Sequence, residues 1–217
     1  MRRRDVPRAL LVSAAAGGTV VIADRVEAQT CTAPCYARSA AEISAGVTPS
    51  NTVYEPGNVL RYGTNTTPGV TDMWAALQAA CTQCSQAGGA PVFVPAGTYL
   101  VTSTVSITSP AQAIRIIGAG MNIAVIVKNG DSDLFNFTAS GIVQVPPMFL
   151  VEGLRIGCST AMTVGAAFNF TDSGVIPSIS MKDIFIINAG SEAVSKAWMS
   201  VALTRAEDRA LFGLGAQ

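Results

Sequence analysis

An all-β architecture is expected for this chain, a right-handed parallel β-helix of about three to four coils with an N-terminal capping α-helix. Three observations lead there. The stretch "FNFTASGI" at Phe135 to Ile142 returns as "FNFTDSGV" at Phe168 to Val175, with six identical positions at one fixed offset, 168 minus 135 or 33. A companion strand keeps step, because "GLRI", "DIFI" and "GLGA" begin at Gly153, Asp183 and Gly213, each offset by 30 from the last. From Pro91 onward the chain is short runs of β-formers such as "VFV", "TYLV", "VSI" and "IRII", separated by Gly, Pro, Asn, Asp or Ser, with no helix-sized insert before Asn188. Strands that recur in fixed order while only the loops change length are the mark of a stacked solenoid.

Taken in order, residues 1–28 read as an export signal. Arg2, Arg3 and Arg4 precede an apolar run from Ala9 to Ala23, and small residues for cleavage end at Ala28. The adjacent arginines favour the twin-arginine route over the ordinary secretory one, although Pro7 interrupts the expected pattern. The apolar run is shorter than the roughly 18 residues that read as a membrane span, so no membrane partner is expected. Without this segment the Lys and Arg fall from 14 to 9 and the Asp and Glu from 14 to 11, a net charge of −2. That leaves no basic patch for nucleic acid. The expected localisation is exported, periplasmic or extracellular.

Residues 29–60 form an extended lead-in, with a short helix at Ala40 to Ala45, and residues 61–217 form the β-helix. A helix from about Asp72 to Gln86 follows Thr71 as N-cap and stops at Gly88 and Gly89. Trp74, Leu77, Cys81 and Cys84 lie on its one buried face, which explains the Cys-x-x-Cys pair better than zinc or redox chemistry. The chain contains no His. The pairing of Cys31, Cys35, Cys81, Cys84 and Cys158 is left open, an exported chain being free to form disulfides.

Two strands per period are expected, with Phe135 and Phe137 inward and Asn136 outward. Stacking by 33 places Phe168 over Phe135 and Phe170 over Phe137, then Val201 and Leu203 of "VALT" over those.

The stretch "RYGTNTTPGVTDMWAALQAACTQCSQAGGAPVFVPAGTYLV", Arg61 to Val101, resembles the N-terminal module of the pectate-lyase-like superfamily, shared by rhamnogalacturonase-like and epimerase-like proteins and phage tailspikes. Arg61, Tyr62, Gly63, Asp72, Gln78, Gly88, Gly89, Pro95, Gly97 and Tyr99 carry the match, while Thr64 and Trp74 depart from it. The resemblance implies a pectin-lyase-like solenoid and a polysaccharide partner. Acidic glycans such as pectin would be broken by a lyase or a glycoside hydrolase. Calcium would accompany a lyase-type parent, and a tailspike-like member would be a trimer. The lack of His removes the Gly-His-Gly element of polygalacturonase-like members.

Hydrolysis needs two carboxylates on one face, about 5 to 9.5 Å apart, and elimination needs a basic residue beside a cation or Arg. The catalytic candidates are Asp183, Arg155, Asp131 and Asp133, with Glu152, Asp172, Glu192, Arg115, Lys128 and Lys182 behind them. Each also has a structural reading: Asp131 and Asp133 in "NGDSD" as turn residues bonding their own backbone, Glu152 and Lys182 as an ion pair between coils, Arg115 and Arg155 as the lining of one groove. Neither recurring offset places two carboxylates outward on adjacent coils. A chain with few coils, ending in "GLGAQ", is expected to be the N-terminal part of a longer enzyme, with no cleavage activity by itself. The alternatives are a noncatalytic glycan-binding or tailspike-like adhesive module and a truncated product without activity.

Overall fold

The computed structural model describes residues 35–108, 110–139, 148–159, 165–172, 178–187 and 194–196. The export-signal reading, Cys31, Glu192, "VALT" and "GLGA" lie outside these residues, and only the backbone of Asp172 is described.

After a short helix, α1 (Ala40–Ser44), and one 3-10 turn, Val59–Arg61, comes helix α2 (Trp74–Cys84), and every later element among the described residues is a strand. The first coil is β1 (Val92–Val94), β2 (Gly97–Val101) and β3 (Val105–Thr108). The second is β4 (Ile114–Gly118), β5 (Ala124–Lys128) and β6 (Phe135–Ala139). In the third, one long strand, β7 (Met148–Cys158), takes the first two positions and β8 (Phe168–Asp172) the third. The fourth repeats this with β9 (Ser178–Ile187) and β10 (Val194–Lys196).

All strand pairs among the described residues are parallel. The first half of β7 pairs with β4 and the second half with β5, so the coil has three sides, where two strands per period were expected. The bend falls at Gly153, with φ of 67°, and recurs one coil later at Asp183, with φ of 52°. Both adopt the left-handed conformation that glycine accepts freely and that Asp tolerates better than most residues. The Gly-to-Asp recurrence in "GLRI" and "DIFI" is therefore a recurring corner.

Alternation builds the core. Val92, Val94, Tyr99, Val101, Val105 and Ile107 of the first coil are buried; in the second coil Ile116 aligns with Val92 and Ile126 with Tyr99, and Ile114 and Ala124 are buried as well. On the third side Phe135 aligns with Phe168 and Phe137 with Phe170. The Phe135 and Phe168 rings stack at 5.4 Å between centroids, only 7° from parallel. The residue aligned with Phe168 in the fourth coil is Val194, an offset of 26 rather than 33. A shorter connection brings this strand in earlier, so the sequence expectation of "VALT" at Val201 fell too late in the chain.

An exposed row of strand edges is a hazard for any solenoid, and the preceding segment covers the first coil side by side. Asn58 forms a parallel bridge with Phe93, and Asp72 one with Leu100. For β3 the cover is a side chain: the Gln78 amide donates to Ser106 O and accepts from Ser106 N, both at 2.8 Å, as a neighbouring peptide would. Helix α2 buries Leu77, Cys81 and Cys84, while Trp74 is half-buried and donates its indole N–H to Thr104 O at 2.9 Å. Asp72 accepts from Trp74 N at the helix start, the role assigned from sequence to Thr71. The Thr71 hydroxyl is instead occupied in accepting from Thr67 N.

Cys81, Cys84 and Cys158 are free and buried. Burial pushes the Cys81 thiol well up, with Cys84 adding to the shift, and burial raises Cys84 as well. Both stay protonated and serve as small apolar side chains. Cys35 is disulfide-bonded.

Candidate functional site

The ionisable residues singled out from sequence separate into an inner group and an outer group. Lys128 belongs to the inner one. Its inward position in β5 aligns it with Val101 below and Cys158 above, and it is fully buried. Its ammonium donates to Thr102 O at 2.8 Å and Asn129 O at 3.2 Å, the carbonyls where the chain turns from the second side to the third. Burial lowers its pKa, and the charges of Cys158, Asp72 and Asp133 oppose the shift. Closed off from solvent, Lys128 holds a corner and is not available as a base for a polysaccharide.

Asp131 and Asp133 occupy that same corner. The sequence suggested that they bond their own turn; the structure shows bonds from both that reach the next coil. Asp133 Oδ1 accepts from Ala166 N at 2.8 Å and Oδ2 from the Asn169 amide at 2.7 Å, while Asp131 Oδ1 accepts from Gly165 N at 3.3 Å. Stacked coils offer the backbone donors of a neighbour one strand spacing away, closer in space than in sequence. Asp133→Ala should lower stability by about 2–3 kcal/mol in a urea titration, because two charge-assisted bonds between coils are lost. Glycan binding should be unchanged.

The outer group gathers at the Gly153 and Asp183 bend. Glu152 aligns with Lys182. Asp183 is the next residue, so two carboxylates do share one corner on adjacent coils, one residue out of step. The fixed offsets hid this because the bend itself carries the second acid. The expected Glu152–Lys182 ion pair is replaced by Lys182 Nζ to Asp183 Oδ2 at 3.9 Å, with the side chains 59% and 51% exposed. At that exposure water screens the pair and it contributes little to stability. Past the bend, Arg155 aligns with Phe185 and its guanidinium lies 5.7 Å from the ring centroid. Arg115 is exposed on β4, on the first side, whereas Arg155 is on the second. The two therefore do not line one groove.

Along the first side, Phe93, Ile117, Glu152 and Lys182 align strand by strand into one outward column. Arg115 flanks it. Among the described residues no group of three or more His, Cys, Asp or Glu is placed to hold a metal ion. Nor is any described helix long and apolar enough to cross a membrane.

A solenoid of parallel coils with a covered first edge defines a protein of the parallel β-helix class. Residues 57–194 match the family model described as rhamnogalacturonase A/epimerase, pectate lyase-like, and the chain belongs to that family. A search of the curated proteins and a search of the solved structures each found no match.

Two features of this surface were not found from sequence. One is the buried network beneath the lead-in. Arg61 Nε meets Glu42 Oε1 at 2.6 Å, Tyr62 Oη donates to the same oxygen at 2.9 Å, and both charged side chains have no solvent exposure. The available signal was "SAAE", Ser39 to Glu42, a capping box that the structure forms with both bonds and that fixes Glu42 in place. The other is the depression beside Phe93, taken up below.

Proposed function

We propose that this chain is an exported protein acting on acidic polysaccharides such as pectin, and that the described coils bind the glycan without cleaving it. The observation that carries this reading is the bend on the third and fourth coils, where Arg155 and Lys182 flank the surface and Asp183 is half-exposed. Cations on successive coils suit the carboxylates of consecutive uronate residues. Elimination would call for a cation to stabilise developing charge, and acid–base catalysis for carboxylates held in a desolvated position. Lys182 and Asp183 are instead engaged with each other in open solvent. A second reading, cleavage at this corner, is favoured by the neighbouring Glu152 and Asp183, a pair that hydrolytic chemistry requires.

One experiment separates the two. Expressed from its own start codon in a bacterial host, the chain should appear outside the cytoplasm with a new N-terminus at or near Gln29. The purified product should be retarded in gels containing polygalacturonate, and changing Arg155 and Lys182 together to Ala should abolish the retardation. Incubation with polygalacturonate or rhamnogalacturonan, with and without calcium, should give neither unsaturated products nor new reducing ends. Turnover that disappears in Asp183→Asn would establish the second reading. Unretarded migration of the wild-type chain would end the first.

A further inference from the structure

Beside β1 lies a surface depression with a cavity volume of about 440 Å³, within the range of small-molecule sites. Its walls include Tyr36, Val53, Tyr54, Glu55, Asn58 and Phe93. Six large apolar side chains are exposed among the described residues, and three of them, Tyr36, Val53 and Phe93, meet here. Apolar exposure gathered around one concavity, rather than scattered, points to a ligand.

The walls are fixed in place. The Arg61 guanidinium, beneath the lead-in, donates to Tyr36 O at 3.2 Å and to Tyr54 O at 2.7 Å, so one buried cation sets the backbone of both tyrosines. Phe93 N donates to Gly57 O at 2.9 Å and Tyr36 Oη to Glu55 Oε1 at 2.8 Å. Asn58 Oδ1 is occupied by Leu60 N. What remains to face a ligand is therefore Glu55 Oε2 as acceptor, the Asn58 amide N–H groups as donors, and the three aromatic side chains. Glu55 is the one carboxylate on the walls, and no Lys or Arg joins it there.

We propose that this depression is a binding subsite for an uncharged pyranose residue of a glycan. Aromatic faces pack against the apolar C–H face of a sugar ring, while a carboxylate and an amide take its hydroxyls. The lone negative charge disfavours a uronate here. The inference rests on the polysaccharide reading above and extends it. Phe93 stands at the foot of the column that continues through Ile117 and Glu152 to Lys182, three strand steps or about 14 Å away. A glycan lying along this side would place a neutral residue on Phe93 and an acidic one beside Lys182.

Affinity electrophoresis of the mature chain through gels containing neutral galactan, xylan or polygalacturonate tests this. At least one neutral polymer should retard the wild type. Phe93→Ala and Glu55→Gln should each weaken that retardation by about tenfold in apparent Kd. Both wall residues are exposed, and matching circular dichroism spectra will verify folding. Absence of retardation by every neutral polymer would overturn the subsite, as would full retardation of Phe93→Ala. Quenching of tyrosine fluorescence by tetramethylammonium, lost in Phe93→Ala with no neutral glycan bound, would overturn it in favour of a cation cage. Loss of polygalacturonate retardation alone would count against the proposed function and not against this subsite.

Discussion

Replacing Arg61 by Met will lower the stability of the folded chain by about 3–5 kcal/mol, read as a shift of the urea midpoint. The size follows from what remains behind. Glu42 would be left fully buried without its cation, and the carbonyls of Tyr36, Ala37 and Tyr54 would lose their donor. Pairing Arg61→Met with Glu42→Met should recover part of the loss, since the uncompensated charge is gone, but not all of it, since the three carbonyls remain unpaired. The pH dependence has a definite sign. Burial raises the Glu42 pKa, but bonds from Arg61, Ser39 N and Tyr62 outweigh it and hold the carboxyl below its ordinary 4.5. A depressed carboxyl contributes its full stability above the unfolded value and loses it as pH falls through the folded one. Wild-type stability should therefore fall as pH drops below about 4.5, and that component of the slope should be absent from the double variant.

Phe149→Ala should cost a similar amount, about 3–5 kcal/mol, for a different reason. Phe149 is fully buried on the first side of the third coil and faces the rings of the third side across the core. Its centroid lies 5.7 Å from that of Phe137, 6.0 Å from Phe168 and 5.2 Å from Phe170, the last two edge-on. Removing it opens a cavity among rings that cannot collapse together, because each is fixed by its own strand. Phe149→Leu should lose markedly less. Because a solenoid repeat contacts only its neighbours, the damage should be local. Hydrogen exchange should accelerate in β6 to β9 of Phe149→Ala while β1 to β3 and α2 keep their protection. Uniform acceleration along the chain would show that the coils unfold as a single unit.

Much of this architecture is written in periodic, local patterns. The Phe-Asn-Phe-Thr repeat determined both the parallel stacking and which side chains face the core, since a strand has a period of two and a constant offset between coils keeps its phase. The buried stripe of α2 followed from residue spacing in the same way, and its place against the first coil from the family resemblance. Other features depend on where the loops bring the coils, and a sequence does not number space. The third side of the coil was missed because only "GLRI", from Gly153, was counted as the companion strand, whereas Met148–Cys158 is one strand bent at left-handed Gly153 whose first half forms a side of its own. Asp131 and Asp133 looked like residues of an ordinary turn, and only stacking put Gly165 and Ala166 within their reach. Lys128 looked like a surface base until its inward phase buried it beneath two carbonyls. The Arg61 network and the Phe93 depression joined residues far apart in a lead-in with little periodicity, as the Arg61 bond to Glu42 and the Tyr36 bond to Glu55 show. Hydrophobic alternation specifies the coil because it acts between neighbours on one strand. Polar contacts between coils depend on loop length and register, and these are set only when the chain closes on itself.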